Sequence, residues 1–327
     1  MMRRDGRRPP AVFALLLMAA VAGCYRPDER AGPRIAPQLV AVENGRLPAV
    51  AGMKLHVFNT GMNRVSSLLV GSPAPWRPAP AFVIERPGRE LVVFDCGVGT
   101  EIARESEGAL NPLTRLLFKT RSLPGKDLPA QMREAGLPPE RVSHVILSHQ
   151  HFDHVGSAEG FASASFIAGP QARESSRSRI NGFEPAHTDW ISDAAWFEVD
   201  FSKGEPYATF DRTIDLFGDR SVVLIKGGGH TPDGLGALLA LANGPVLLAA
   251  DLAVHFDWLR GDDVQRIVSD GDRAAEVRNR IREFMRLVPA AVVMPGHDLS
   301  QVPAGRDDIV RHHPELFLPQ AWPIDSE

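Results

Sequence analysis

The chain has only two cysteines in 327 residues, Cys24 and Cys96, so no disulfide framework can hold it together. No run of Lys or Arg occurs in its body, and the formal charge is −4. Both argue against a nucleic-acid partner. No internal repeat of solenoid length is present. The N-terminal apolar run, Ala11 to Ala22, is too short to cross a bilayer as an ordinary helix. What is present is a globular composition, 44% hydrophobic and 23% charged, in a length that suits one large domain or two small ones.

The first segment reads as a targeting signal. Arg3, Arg4, Arg7 and Arg8 precede the apolar run, which ends in Val21-Ala22-Gly23-Cys24. The small residues before the cysteine resemble a bacterial lipobox, in which Cys24 is lipidated and becomes the first mature residue. The plainer reading is a cleaved signal peptide with a chance cysteine. Removing residues 1–23 takes away four arginines and one aspartate and moves the formal charge from −4 to −7. A lipid on Cys24 would hold the domain to the cell envelope, in the periplasm or outside. Tyr25, in place of an aspartate, favours the outer membrane over the inner by analogy with lipoprotein sorting. Cys96 is then left without a partner and reads as a packing residue.

Residues 24–50, rich in Pro, Arg, Ala and Gly, read as a tether, and residues 51–327 as the folded domain. Strands are expected at Lys54 to Asn59, Ala81 to Glu85, Leu91 to Phe94, Val142 to Leu147, Ser165 to Ala168, Val222 to Ile225, Ala237 to Leu241, Val246 to Ala249 and Ala291 to Met294. Asn243-Gly244 marks a hairpin turn. Helices are expected around Leu128 to Ala135 and, from the spacing of Val277, Ile281, Phe284 and Leu287, over Arg273 to Leu287. Residues 101–128 suggest a short helix and a long loop that could border a site. Strands with interspersed helices predict an α/β domain of two sheets with helices outside.

The chemistry concentrates where strands end. His149-Gln150-His151-Phe152-Asp153-His154 puts four metal-competent side chains into six residues, straight after an apolar strand. His149 and His151, two apart in extended chain, can point the same way. His230 follows Gly227-Gly228-Gly229, Asp251 follows Val246 to Ala250, and His297 follows Met294-Pro295-Gly296. A buried aspartate at a strand end is costly unless paired or metal-bound. Each of the three alone has a bland reading, a hydrogen-bonded histidine or a loop-capping aspartate; the four features together leave that reading little room. Imidazole and carboxylate donors suit zinc, iron, manganese or cobalt.

This pattern, HxHxDH followed by separate His, Asp and His, resembles the dinuclear hydrolases of the metallo-β-lactamase superfamily over roughly residues 53–300. The resemblance implies an αβ/βα four-layer sandwich and two divalent metal ions, zinc first among the candidates. His149, His151 and His230 would hold one ion, Asp153, His154 and His297 the other, and Asp251 would bridge them. Asp95 matches an aspartate that orients a ligand histidine. Hydrolysis would use a water shared by two metals and acidified to a hydroxide. Asp153 would also handle a proton as the leaving group departs.

Within the superfamily, β-lactam-hydrolysing members carry Cys or Ser where Asp251 stands. Flavodiiron oxidoreductases carry Glu where His151 stands and have a flavin domain. The chain is most similar to quorum-quenching N-acyl-homoserine lactone lactonases, through Ser148 to Gly156 and through Pro295-Gly296-His297-Asp298-Leu299-Ser300-Gln301. It departs from them at Val254, where many carry a hydrogen-bond-donating tyrosine; His255 is the candidate substitute, or else simply a loop residue. Leu117, Phe118, Trp190, Phe256 and Trp258 are candidate walls of an acyl channel, with core packing as the plainer reading. His187 reads as a loop residue, and His312 and His313 as surface residues. The implied function is opening of a small-molecule lactone or cleavage of a carboxylic ester. The alternatives are a glyoxalase II-like thioesterase or a phosphoester/organophosphate hydrolase, and last a non-catalytic metal-binding lipoprotein. Oligomeric state is open, a homodimer included.

Overall fold

A computed structural model describes residues 47, 49–66, 74–177, 182–261 and 267–324. Cys24, the signal segment and nearly all of the tether read from the sequence lie outside the described residues. The first sheet is built from β1 (Lys54–Val65), β2 (Arg77–Glu85), β3 (Leu91–Phe94), β4 (Phe118–Arg121), β5 (Val142–Ile146), β6 (Ser165–Ala168) and β7 (Trp196–Glu198). The second is built from β8 (Glu205–Tyr207), β9 (Phe210–Asp215), β10 (Val222–Lys226), β11 (Leu235–Leu239), β12 (Val246–Ala250) and β13 (Val292–Pro295). The last strand, β14 (Ile309–Arg311), returns to the first sheet and pairs parallel with β1. The sheet orders are β14-β1-β2-β3-β5-β6-β7, with β4 against β1, and β13-β12-β11-β10-β9-β8.

Alternation along the strands sorts the apolar residues into three layers. Phe82, Ile84, Val92, Phe94 and Ile146 of the first sheet meet Val222, Leu224, Ala237, Leu248 and Met294 of the second between the sheets. The opposite face of the first sheet, including Val83, Val93 and Val145, is covered by Leu128 and Met132 of a short helix, Leu128–Glu134. The opposite face of the second sheet, Val223, Ile225, Leu247 and Ala249, is covered by Ala274, Val277, Ile281 and Phe284 of the 17-residue helix Gly271–Leu287. The result is the four-layer αβ/βα sandwich. In chain order the α-helices are α1 (Thr100–Glu105), α2 (Pro112–Leu117), α3 (Leu128–Glu134), α4 (Phe152–Val155), α5 (Ala172–Ser176), α6 (Phe256–Arg260) and α7 (Gly271–Leu287).

Several expectations change. β1 runs six residues past Asn59, through an irregularity in its ladder between Asn59 and Met62. Gly61 makes this possible, since a Cβ there would stand 2.6 Å from the Arg121 carbonyl oxygen. Residues 101–128 form α1, α2 and β4 instead of a long loop, because β4 finds a partner in the extended end of β1. Packing also begins inside the segment read as tether: Leu47 is buried, and the Val50 N–H donates to the Ala240 carbonyl at 2.9 Å. His312 is not a surface residue. Pairing of β14 with β1 stacks its ring on Phe58, with centroids 4.5 Å apart, and brings its Nε2 within 2.9 Å of His56 Nδ1.

Candidate metal centre

Every candidate ligand follows the C-terminal end of a strand. β3 leads into Asp95, β5 into His149 through His154, β10 into His230, β12 into Asp251 and β13 into His297. Two of these turns are strained. Asp95 (φ 57°) and Ala250 (φ 44°) are left-handed without being glycine, each at a cost of about 1–3 kcal/mol that the surrounding structure must offset. The β12–β13 ladder shifts register between Leu248 and Ala250, which swings Asp251 off the sheet. Gly296 leaves room for it, because a Cβ there would lie 1.8 Å from Asp251 Oδ1.

The side chains converge in two groups, His149, His151, His230 and Asp251 in one and Asp153, His154 and His297 in the other, with the ligand atoms of each group within 4.8 Å of one another. In the first, His151 Nδ1 lies 3.0 Å from His149 Nε2 and 3.1 Å from His230 Nε2. Asp251 faces both groups. Its Oδ2 is 3.1 Å from His230 Nε2, while its Oδ1 is 3.4 Å from His297 Nε2 and 3.6 Å from His154 Nε2. Asp153 Oδ2 is 3.5 Å from His297 Nε2.

The electrostatics fit divalent cations. Burial, and then the neighbouring imidazoles, hold His149 and His151 well below the usual histidine range, so both rings present lone pairs. Burial alone would lower His154 too, but Asp95, Asp153 and Asp251 raise it to about 10. Burial would raise Asp251, yet His297, His230 and His154 hold it well below the carboxylate range. His154 Nε2 is buried with no hydrogen-bond partner among the described residues. Three ring nitrogens meeting at about 3 Å, an orphaned imidazole nitrogen and two carboxylates form a donor set that a pair of cations satisfies and protons do not.

The outer nitrogens of four of the rings, those of His149, His154, His230 and His297, are fixed by hydrogen bonds, which sets their tautomers. His154 Nδ1–H donates to Asp95 Oδ2 at 2.8 Å. The same carboxylate accepts from the Ser148 N–H and Oγ–H, both at 2.7 Å, and Ser148 Oγ lies 3.0 Å from His149 Nδ1. Asp95 thus steadies one histidine from each group. His230 Nδ1 donates to the Ile267 carbonyl at 2.6 Å and His297 Nδ1 to that of Pro78 at 2.8 Å. The Phe183 ring packs on His151, centroids 4.8 Å apart. Sequence reasoning missed Ser148 and Phe183 in these roles. A hydroxyl between an apolar strand and a ligand histidine was a visible signal for the first; nothing local marked the second.

The aromatic candidates separate. Phe118 lies edge-on to Phe152 at 5.8 Å and reaches the metal loop across Gly182, where a Cβ would stand 3.3 Å from Phe118 and 3.5 Å from His151. Leu117 is buried on the inner side of α2. Trp258 is fully buried and Phe256 nearly so, both in the layer under α7, where Arg278 covers Trp258 at 5.2 Å. They are core residues, because α6 turns its apolar side toward α7. Trp190 packs edge-on to Phe166 on the outer face of the first sheet and donates to the His187 carbonyl at 2.7 Å. His187 is paired with Glu101 at 3.1 Å. His255 is buried and caps α6, its Nδ1 accepting from the Trp258 N–H at 3.3 Å.

Comparisons with known proteins agree with this architecture. An N-acyl homoserine lactonase, AttM, of Azorhizobium caulinodans is 28% identical over 261 residues, which is 77% of this chain and 92% of that protein. A solved variant of B. thuringiensis AiiA with N-decanoyl-L-homoserine at its active site superposes with a TM-score of 0.63 at 17% identity, over 76% of this chain and 94% of that one. AidC, a dizinc quorum-quenching lactonase, superposes with a TM-score of 0.53 at 15% identity, over 76% and 88%. These two likenesses show the fold. Residues 74–297 match the model of the metallo-beta-lactamase superfamily. With two-thirds of its length matched, and both candidate metal groups assembled at its strand ends, the chain belongs to the metallo-beta-lactamase superfamily of enzymes.

Proposed function

We propose that this chain is a dinuclear metal-dependent hydrolase that opens lactones, with N-acyl-homoserine-lactone-like molecules as the substrate class, and that a lipid on Cys24 anchors it to the bacterial cell envelope, in the outer membrane. The observation that carries the reading is Asp251, whose two carboxylate oxygens are divided between the two ligand groups. The lactonase names of the relatives supply the substrate class. His149, His151 and His230 would hold one ion, Asp153, His154 and His297 the second, and Asp251 both. Zinc is the ion assigned, with iron, manganese and cobalt the ones that metal analysis must separate. Two such ions supply Lewis acidity toward the lactone carbonyl and activate water near neutral pH.

The chain's own residues do the rest. Asp95 and Ser148 hold His154 and His149 with their lone pairs inward. Asp153, in the second group, would pass a proton to the departing ring oxygen through the carboxylate oxygen that Asn63 does not hold. Phe118 and Phe183 flank His151 and limit water on that side. Because His255 Nδ1 accepts from Trp258, its ring proton sits on Nε2. We keep His255 as the candidate for the hydrogen-bonding role that Val254 cannot fill.

The test joins metal analysis of purified protein to a panel of acyl lactones, aryl esters, thioesters, phosphoesters and β-lactams, with His151→Ala as control. Lactone or ester turnover, lost in the variant, is expected. A protein with two metals per chain that opened no lactone or ester, yet cleaved another class, would overturn the reading.

A further inference from the structure

We infer that Asn63 is a positioning residue for the second ion: its amide clamps Asp153 in the rotamer that completes the Asp153–His154–His297 group. This rests on the two-ion reading of the centre but not on the substrate. Asn63 lies on the part of β1 beyond the irregularity at Gly61, opposite Arg77 of β2, and is buried. Its Nδ2 donates to Asp153 Oδ2 at 2.6 Å, the same oxygen that lies 3.5 Å from His297 Nε2. No other hydrogen bond to the Asp153 carboxylate is found among the described residues, whereas the outer nitrogens of His149, His154, His230 and His297 are held by the Asp95–Ser148 pair and by backbone carbonyls.

The second observation is the other end of the same amide. Asn63 Oδ1 is buried and has no hydrogen-bond partner among the described residues. Turning the amide over would set an oxygen against the Asp153 carboxylate, so the orientation is forced. A buried acceptor left unpaired costs about 1–3 kcal/mol. The bond to Asp153 has to offset that cost. The polar residue is explained by what it does for Asp153. Outer partners of this kind commonly change metal affinity by about 10–100-fold.

The test is equilibrium metal binding by metal-free wild type, Asn63→Leu and the smaller Asn63→Ala, with zinc as titrant, alongside thermal melting of the metal-free proteins. Wild type should bind two ions. Both variants should keep the affinity of one ion and weaken the other by about 10–100-fold. Equal affinities for both ions in the variants, an equal loss at both, a wild type that binds a single ion, or a metal-free Asn63→Leu that is destabilised while its zinc isotherm stays unchanged would each overturn the assignment. Lactone turnover plays no part in this readout, so failure of the proposed substrate class would be seen separately in the hydrolysis panel.

Discussion

At the scale of single residues, the centre depends on groups too small or too buried to look chemical. Gly296 is one. A methyl group there would occupy the position of Asp251 Oδ1, so Gly296→Ala should expel the bridging carboxylate. We expect bound metal to fall below two ions per chain and turnover to drop by at least about 100-fold, a loss of roughly 3 kcal/mol. Unchanged metal content would refute the close approach. Asp233 is another. It is fully buried, and burial raises it to about 6 against the opposing pull of Thr231 and Gln150. A raised folded pKa contributes stability that is complete below the unfolded value of about 4 and is lost as pH rises through 6. Asp233→Asn should thus gain on wild type between pH 4.5 and pH 7.5, by up to about 3 kcal/mol in urea unfolding. A difference independent of pH would show that the carboxylate is paired.

At the scale of elements, α6 tests His255. Aspartate is a good N-cap but offers no N–H when ionised. His255→Asp should keep the melting temperature within about 2 °C and lower kcat/KM on lactones about tenfold, which by transition-state arithmetic is the loss of one modest hydrogen bond. If turnover is unaffected, His255 is a cap and nothing more. The elements also show what could be read from sequence. The seven proposed ligands were visible because each is a polar residue following an apolar strand, and the helix Gly271–Leu287 because its apolar residues keep helical spacing from Val277 to Leu287. β4, β7 and β14 were not visible. They are three or four residues long, and what makes them strands is a partner far away in the chain. Asn63 was hidden for the same reason: the strand read from the sequence stops at Asn59, and only β4 shows that it continues. Phe256 and Trp258 misled because aromatic residues beside a metal motif look alike whether they face a pocket or a helix.

At the scale of the whole molecule, the ion pair should be part of the fold's stability. Without cations the centre confines the neutral imidazoles of His149 and His151 against other ring nitrogens, beside carboxylates. Ligands that bind only the folded state stabilise it by mass action. Stripping the metals with a chelator should lower the melting temperature by at least about 5 °C, and zinc should restore it. A melting curve indifferent to chelation would mean that the centre is empty in the isolated protein.

The two ligand groups mix the sheets. His149, His151, Asp153 and His154 hang from the first, and His230, Asp251 and His297 from the second. Any ion held by His151 and His230, or by His154 and His297, is therefore a rivet through the sandwich at one rim. Elsewhere the chain does the same job covalently, crossing from β13 to β14 and lacing its end back against β1. A book bound along one side and clasped along another opens only when the clasp is undone. Hydrogen exchange should then spread from the rim formed by the ends of β5, β10 and β12 when the ions leave, while the β1–β14 pairing stays shut.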